Sequence, residues 1–184
     1  MAVPADRSTS FPMRLIGAVS ADPLLYEEVE ADRTATGQAL LVVVLSSLAA
    51  GIGARGFGTG SLQSTLFISG VATVAWAAWA LVTYQIGAKL MPEPQTSADI
   101  GELLRTVGFS AAPGMLRVFG IVPGAATAAF AITAVWMLVT MVVAVRQALD
   151  YTSTARAILV CVVGWTLALG IAALLGLLFS PALS

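Results

Sequence analysis

Histidine is absent from the 184-residue chain, and cysteine occurs once, at Cys161. Without imidazoles or paired thiolates, the usual ligand sets for zinc and haem cannot be assembled, and no disulfide can close within the chain. Charge is scarce as well. Asp, Glu, Lys and Arg make up 10% of the residues, against about 25% in a soluble domain. So few charges cannot clothe a water-facing surface. A net charge of −1 supplies no basic patch, which excludes nucleic acid as a partner. Motifs are missing too: there is no Walker A pattern, no G-x-S-x-G and no H-E-x-x-H. No Asp, Glu or Lys lies deep within an apolar run, where pumps and proton-coupled carriers place one. Enzymatic chemistry has no visible residues to run on, and no cofactor or metal is expected. The start of the chain also lacks the basic n-region of a secretory signal.

What is present is apolar sequence, 58% of the chain. It falls into runs that predict an all-α membrane protein, a bundle of five transmembrane helices in the lipid bilayer. The spans are read at 37–54, 61–90, 103–122, 124–145 and 155–179, forming a membrane domain over 37–184. The second is longer than a bilayer core requires and is expected to tilt or protrude. The third is the weakest, because only Thr106 to Leu116 is free of charge between Arg105 and Arg117, and Pro113-Gly114 interrupts it. Ahead of the spans, residues 1–36 form a short amphipathic segment. Phe11, Leu15 and Ile16 share one helical face, with Val19 beside them, and Pro12 suits a first turn. Such a stretch fits the headgroup boundary. Asp22 before Pro23 reads as a helix N-cap, and the helix that follows is expected at the surface.

The nine cations decide the orientation. With five spans and a cytoplasmic N-terminus, Arg7, Arg14, Arg33, Lys89, Arg105, Arg146 and Arg156 fall inside, while Arg55 and Arg117 fall outside. Every carboxylate also falls inside. Making the third segment re-entrant returns Arg117 to the inside but moves Arg146 and Arg156 outside, leaving three cations there instead of two, which is worse. The expectation is therefore a multi-pass protein of the cell inner (plasma) membrane with its C-terminus outside. Arg105 and Arg117 should snorkel to opposite interfaces, and neighbouring helices must cover the Pro113-Gly114 break.

Candidate sites are few. Glu102 and Arg105, three apart, read as an interfacial ion pair or a functional pair near the break. Together with Pro113, Gly114 and Arg117 they form one candidate group. The acidic stretch Glu27, Glu28, Glu30 and Asp32, with Tyr26, is a candidate for binding a basic partner or simply a solvated face. Small residues recur every fourth position, as in Ser47 with Gly51, Ala49 with Gly53, Ser61-Thr65-Ser69-Thr73, Ala125-Ala129-Thr133 and Ala168-Ala172-Gly176. They suit close helix packing, a polar path or an oligomer face. Cys161, Trp76, Trp79, Trp136 and Trp165 read as packing residues.

The stretch from Gly101 through Arg105 and Gly108-Phe109 to Pro113 is similar to a third-span signature. Ile121-Val-Pro123, Ala134-Val-Trp136, Ala144-Val-Arg146 and Thr154-Ala-Arg156-Ala157 follow in matching order. Asp22-Pro23 with Tyr26-Glu27-Glu28-Val29 precedes them. In order and spacing the chain resembles the Yip1-like (YIP1) membrane proteins, in their prokaryotic branch, from about Pro12 to Gly176. Eight Arg against one Lys suits a bacterial source. The resemblance implies a five-span bundle with a cytoplasmic N-terminus. The eukaryotic relatives act in vesicle trafficking, with small prenylated GTPases and with one another. This chain has a short N-terminal region and lacks their Asp-Leu-Tyr-Gly-Pro pattern, so the GTPase role is not carried over. The reading is a non-enzymatic protein that organises membrane or protein partners, as a homo-oligomer or with other membrane proteins. The alternative is a small transporter or channel component with a polar path near the second and third spans. A membrane enzyme stands third.

Overall fold

The computed structural model describes residues 9–58 and 61–179, without the side chains of 64, 68, 72 and 168–179. Asp6, Arg7, the end of the turn before the second run and the Ala168-Ala172-Gly176 row lie outside the described residues or side chains. Among the described residues there are seven α-helices and no strand: α1 Phe11–Val19, α2 Pro23–Ala31, α3 Thr36–Gly53, α4 Leu62–Tyr84, α5 Ile100–Ser110, α6 Ala126–Ala148 and α7 Thr154–Phe179.

The two preface helices are set by their ends. Asp22 caps α2 by accepting from the Leu24 N–H at 3.0 Å, with Pro23 in the first turn. α1 ends in a Schellman turn, in which the Ala21 N–H donates to Ala18 and the Asp22 N–H to Gly17. Ala21 therefore stands at φ +55°, a conformation in which a Cβ is crowded. Ala21→Gly should stabilise the protein by about 1 kcal/mol, a rise of about 2–4 °C in a detergent melt. An unchanged or lowered midpoint would count against this account of the turn.

Neither helix lies apart from the bundle. Leu25, Tyr26 and Val29 are fully or nearly buried and share a core with Ala39, Val42, Val43 and Phe109. The surface helix expected at 23–31 is thus a packed one, resting on α5 and α6. In α1, Phe11, Leu15 and Val19 pack on the same core, whereas Ile16 is 61% exposed. The face expected to hold Ile16 is instead completed by Ala18 and Arg14.

Among the described residues, three helical stretches are long and apolar enough to cross a membrane: Arg33–Phe57, Thr65–Leu90 and Ala126–Ala148. The described apolar part of α7, Thr154–Leu167, is shorter. α4 closes in a π-helical turn, Gln85–Leu90, where Gly87 leaves room for the Leu149 side chain and the Tyr151 hydroxyl donates to the Gly87 and Met91 carbonyls at 2.9 and 2.8 Å.

The expected third span, 103–122, is not a single α-helix. α5 stops at Ser110, and a ten-residue 3-10 stretch, Ala112–Ile121, continues it. Pro113 is the cause. It has no N–H to give, so the Ser110 carbonyl loses its 3-10 partner. The Thr140 hydroxyl of α6 replaces it, donating to Ser110 at 2.8 Å. Pro113 and Gly114 are buried between α3 and α6, so protein covers the break, as the sequence required.

Close approach sets the register of this segment against α3. A Cβ on Gly108 would lie 2.8 Å from that of Ala39, and one on Gly114 would lie 2.1 Å from the Ser46 hydroxyl. A Cβ on Gly53 would lie 1.9 Å from the Arg117 carbonyl oxygen, and one on Gly56 would lie 1.9 Å from that of Gly120. The segment therefore runs parallel to α3 along most of its length.

Candidate functional site

The capping box at the start of α5 positions the first candidate pair. The Asp99 carboxylate accepts from the Glu102 N–H at 2.8 Å, and the Glu102 carboxylate accepts from the Asp99 N–H at 2.7 Å. Glu102 is thereby engaged locally, and the expected Glu102–Arg105 ion pair does not form. Arg105, 5% exposed, reaches α2 instead. Its Nε donates to the Val29 and Glu30 carbonyls at 3.0 and 3.1 Å, and its Nη2 also donates to Glu30. A guanidinium thus closes the C-terminus of α2, where carbonyls lack helical partners and the dipole favours a cation.

Docking α2 on α5 and α6 opens a cleft of about 820 Å³, lined by Glu27, Glu30, Glu102, Arg146, Gln147 and Asp150 among others. Four carboxylates converge there. The Gln147 amide donates to Glu27 at 2.8 Å. Arg146 also lines the cleft but forms no direct ion pair there, its guanidinium donating to the Tyr151 and Thr152 carbonyls. Asp150 is held at φ +53° by the Schellman turn that ends α6. Burial, then the charges of Asp150 and Glu102, push the Glu30 carboxyl up to about 7, although Arg105 opposes the shift.

That shift has a sign. Between its ordinary range and about 7, Glu30 holds a proton in the folded state that it has lost when unfolded. Its contribution to stability is therefore present at low pH and fades as pH rises through that window. The melting temperature should fall between pH 5 and 8, and Glu30→Gln should flatten the fall. An identical slope in the variant would overturn the assignment.

The other acidic residues have structural occupations. Arg14, 2% exposed, donates to Glu28 at 2.9 Å, Asp32 at 2.7 Å and Gln38 at 3.0 Å. It joins α1, α2 and α3. The Thr34 hydroxyl, then Arg14, hold the Asp32 carboxyl down at about 2. Tyr26 is buried, and its hydroxyl donates to the Ala18 carbonyl at 3.2 Å. Of the candidate partner-binding residues, only Glu27 and Glu30 line the cleft. Sequence reasoning missed Arg14, whose partners lie 14–24 residues away. It also missed Glu93, which accepts from the Thr152 N–H at 3.0 Å and pairs with Arg156 at 3.3 Å. The Thr152 N–H above all holds the Glu93 carboxyl below its usual range. The loop after α4 is thus clamped to the turn between α6 and α7. Pro92-Glu93-Pro94 carried no local signal of that pairing.

The remaining candidate, Arg117, packs its carbonyl beside Gly53, the last residue of α3. Its Nε donates to Thr133 at 3.3 Å and its guanidinium lies 5.4 Å from the centre of the Phe130 ring. Thr133 is about two turns inside α6. The hydroxyl row on α4 is spent on packing: Thr65, Ser69 and Thr73 each donate to a carbonyl one turn earlier, and Ser69 also donates to Ser47 of α3. Gly51 of α3 is pressed against Thr65 and Ser69, which is the close approach that small residues permit. Among the described residues, no group of three metal-ligating side chains forms a metal site.

The family model described as the Yip1 domain matches residues 23–175. No curated protein and no solved structure shows a match. The matched residues run from the first residue of α2, whose C-terminus Arg105 caps, through the 3-10 stretch and well into α7, and on that extent the chain belongs to the Yip1 family of membrane proteins.

Proposed function

We propose that this protein crosses the cell inner (plasma) membrane five times and organises protein partners or bilayer there without catalysis. Its N-terminal segment is cytoplasmic and its C-terminus lies outside. The observation that carries this reading is the one-ended distribution of charge. Glu27, Glu30, Glu102 and Asp150 come from three separate elements yet line one cleft, at the end of the bundle that the cation count puts inside. An acidic, water-facing cleft suits a basic segment of a partner or of a second copy.

The parallel register of the third segment supports five crossings. Eleven α-helical residues rise about 16 Å and ten 3-10 residues about 20 Å, together more than the roughly 30 Å of a hydrocarbon core. A reporter fused to the C-terminus should read as external. Crosslinking in native membranes should capture a second copy or a specific membrane protein, and Glu27→Lys with Glu30→Lys should abolish that capture. Capture of neither would sink the organising role. A cytoplasmic reporter would sink the five-span topology.

A further inference from the structure

A second cavity, of about 400 Å³, lies inside the bundle, where α3, α4, α5, α6 and α7 converge. Its walls are mostly apolar, with Trp76, Trp79, Met137, Met141 and Trp165 contributing. Ser46 and Ser47 of α3, about 15 Å from the start of that helix, put it near the middle of the bundle. The volume falls at the lower end of the range for small-molecule pockets, about 300–1,000 Å³. Trp165 on its rim is 43% exposed, so the cavity reaches the side of the bundle.

Arg117 also lines it. Among the described residues no carboxylate pairs with this arginine, and its one hydrogen bond goes to a neutral hydroxyl. A cation packed among the helices of a membrane protein is costly unless an anion or a water-filled path meets it. Asp99 and Glu102 start α5 and Asp150 follows α6, so these carboxylates lie at the other end of both segments from Arg117. The cavity thus offers one cation without a carboxylate partner at a mostly apolar chamber, which is the complement of a molecule with one negative charge and one apolar tail.

We propose that this cavity binds a single-chain fatty carboxylate, its headgroup paired with Arg117 and its chain against the tryptophans and methionines. Guanidinium and carboxylate match as a two-pronged pair. One charge on each side leaves no surplus in a low-dielectric site, whereas a dianionic phosphate head would. The small volume favours one chain over the two of a phospholipid.

The three tryptophans provide the readout. The purified full-length protein in a neutral maltoside detergent is titrated with 12-bromododecanoate, whose bromine quenches indole fluorescence on contact. Saturable quenching is expected, competed by dodecanoate and not by dodecyltrimethylammonium. Arg117→Gln should weaken it about tenfold, the worth of one charge-assisted hydrogen bond, and Arg117→Lys should recover part of the loss. Should Arg117→Gln fail to fold, Ala75→Phe narrows the cavity with the charge intact and should also abolish saturation. Quenching that is linear with concentration, unchanged in Arg117→Gln, persistent in Ala75→Phe or equally displaced by the cationic amphiphile overturns the proposal. Stronger competition by dodecyl phosphate than by dodecanoate overturns the assignment of the headgroup.

Discussion

Gly53→Ala is expected to cost the folded bundle about 3 kcal/mol or more, at the upper end of what overpacking does. The added Cβ would lie 1.9 Å from the Arg117 carbonyl oxygen, with the Phe130 ring 3.1 Å away on another side. That oxygen is backbone. It belongs to a 3-10 stretch wedged between α3 and α6, so no side-chain rotation can make room. The control is the same substitution at Gly70, in the interior of α4, where an added Cβ meets nothing within 4 Å. There alanine should stabilise the helix by up to about 1 kcal/mol through backbone entropy alone. Thermal midpoints and size-exclusion profiles in detergent check both. Equal midpoints for the two variants would mean that the 3-10 stretch does not rest on α3 as described.

The long apolar runs were legible because length and hydropathy are local properties: 37–54, 61–90, 124–145 and 155–179 reappear in α3, α4 with its π turn, α6 and α7. The Pro113 break was legible for the same reason, since a missing N–H needs no tertiary context. The continuation beyond it was not. A ten-residue 3-10 stretch is held by the Thr140 hydroxyl and by glycines on another helix, none of which a window around Pro113 contains. Arg117 was expected at an interface because the charge count put it at the outer end of the third span. Its contacts with Thr133 and Phe130, on the next helix, had no signal near it in the sequence. Glu102 and Arg105 show how spacing misleads. An i, i+3 pair is worth only about 0.2–0.5 kcal/mol, so the capping box and the end of α2 take both partners away. The acidic cleft was half visible. Glu27 and Glu30 stood out as charged, but their company with Glu102 and Asp150 depends on α2 docking through Leu25, Tyr26 and Val29, a face hidden among carboxylates in the sequence.

Arg105→Met should be the most damaging single change at that docked end, costing about 3 kcal/mol. A buried hydrogen bond from a charged donor contributes about 1.5–3 kcal/mol, and an orphaned buried carbonyl costs about 1–3. The Val29 and Glu30 carbonyls both lose their guanidinium donor, together with a favourable helix-terminus charge worth up to about 1 kcal/mol. Arg105→Lys should keep the charge but lose the fork, and should recover less than half of the loss. Arg33→Met, at an exposed position, should be nearly silent. The charge leaves a second signature. Arg105 pulls the Glu30 carboxyl down against burial and its acidic neighbours. Without it the carboxyl rises above about 7, and the loss of stability with rising pH extends to more alkaline values. Melting curves from pH 4.5 to 8.5 separate the two effects: a lower midpoint throughout, and a fall that ends at higher pH than in the parent protein. A variant with both the midpoint and the pH profile of Arg33→Met would show that Arg105 does not hold α2, and with it the acidic cleft, in place.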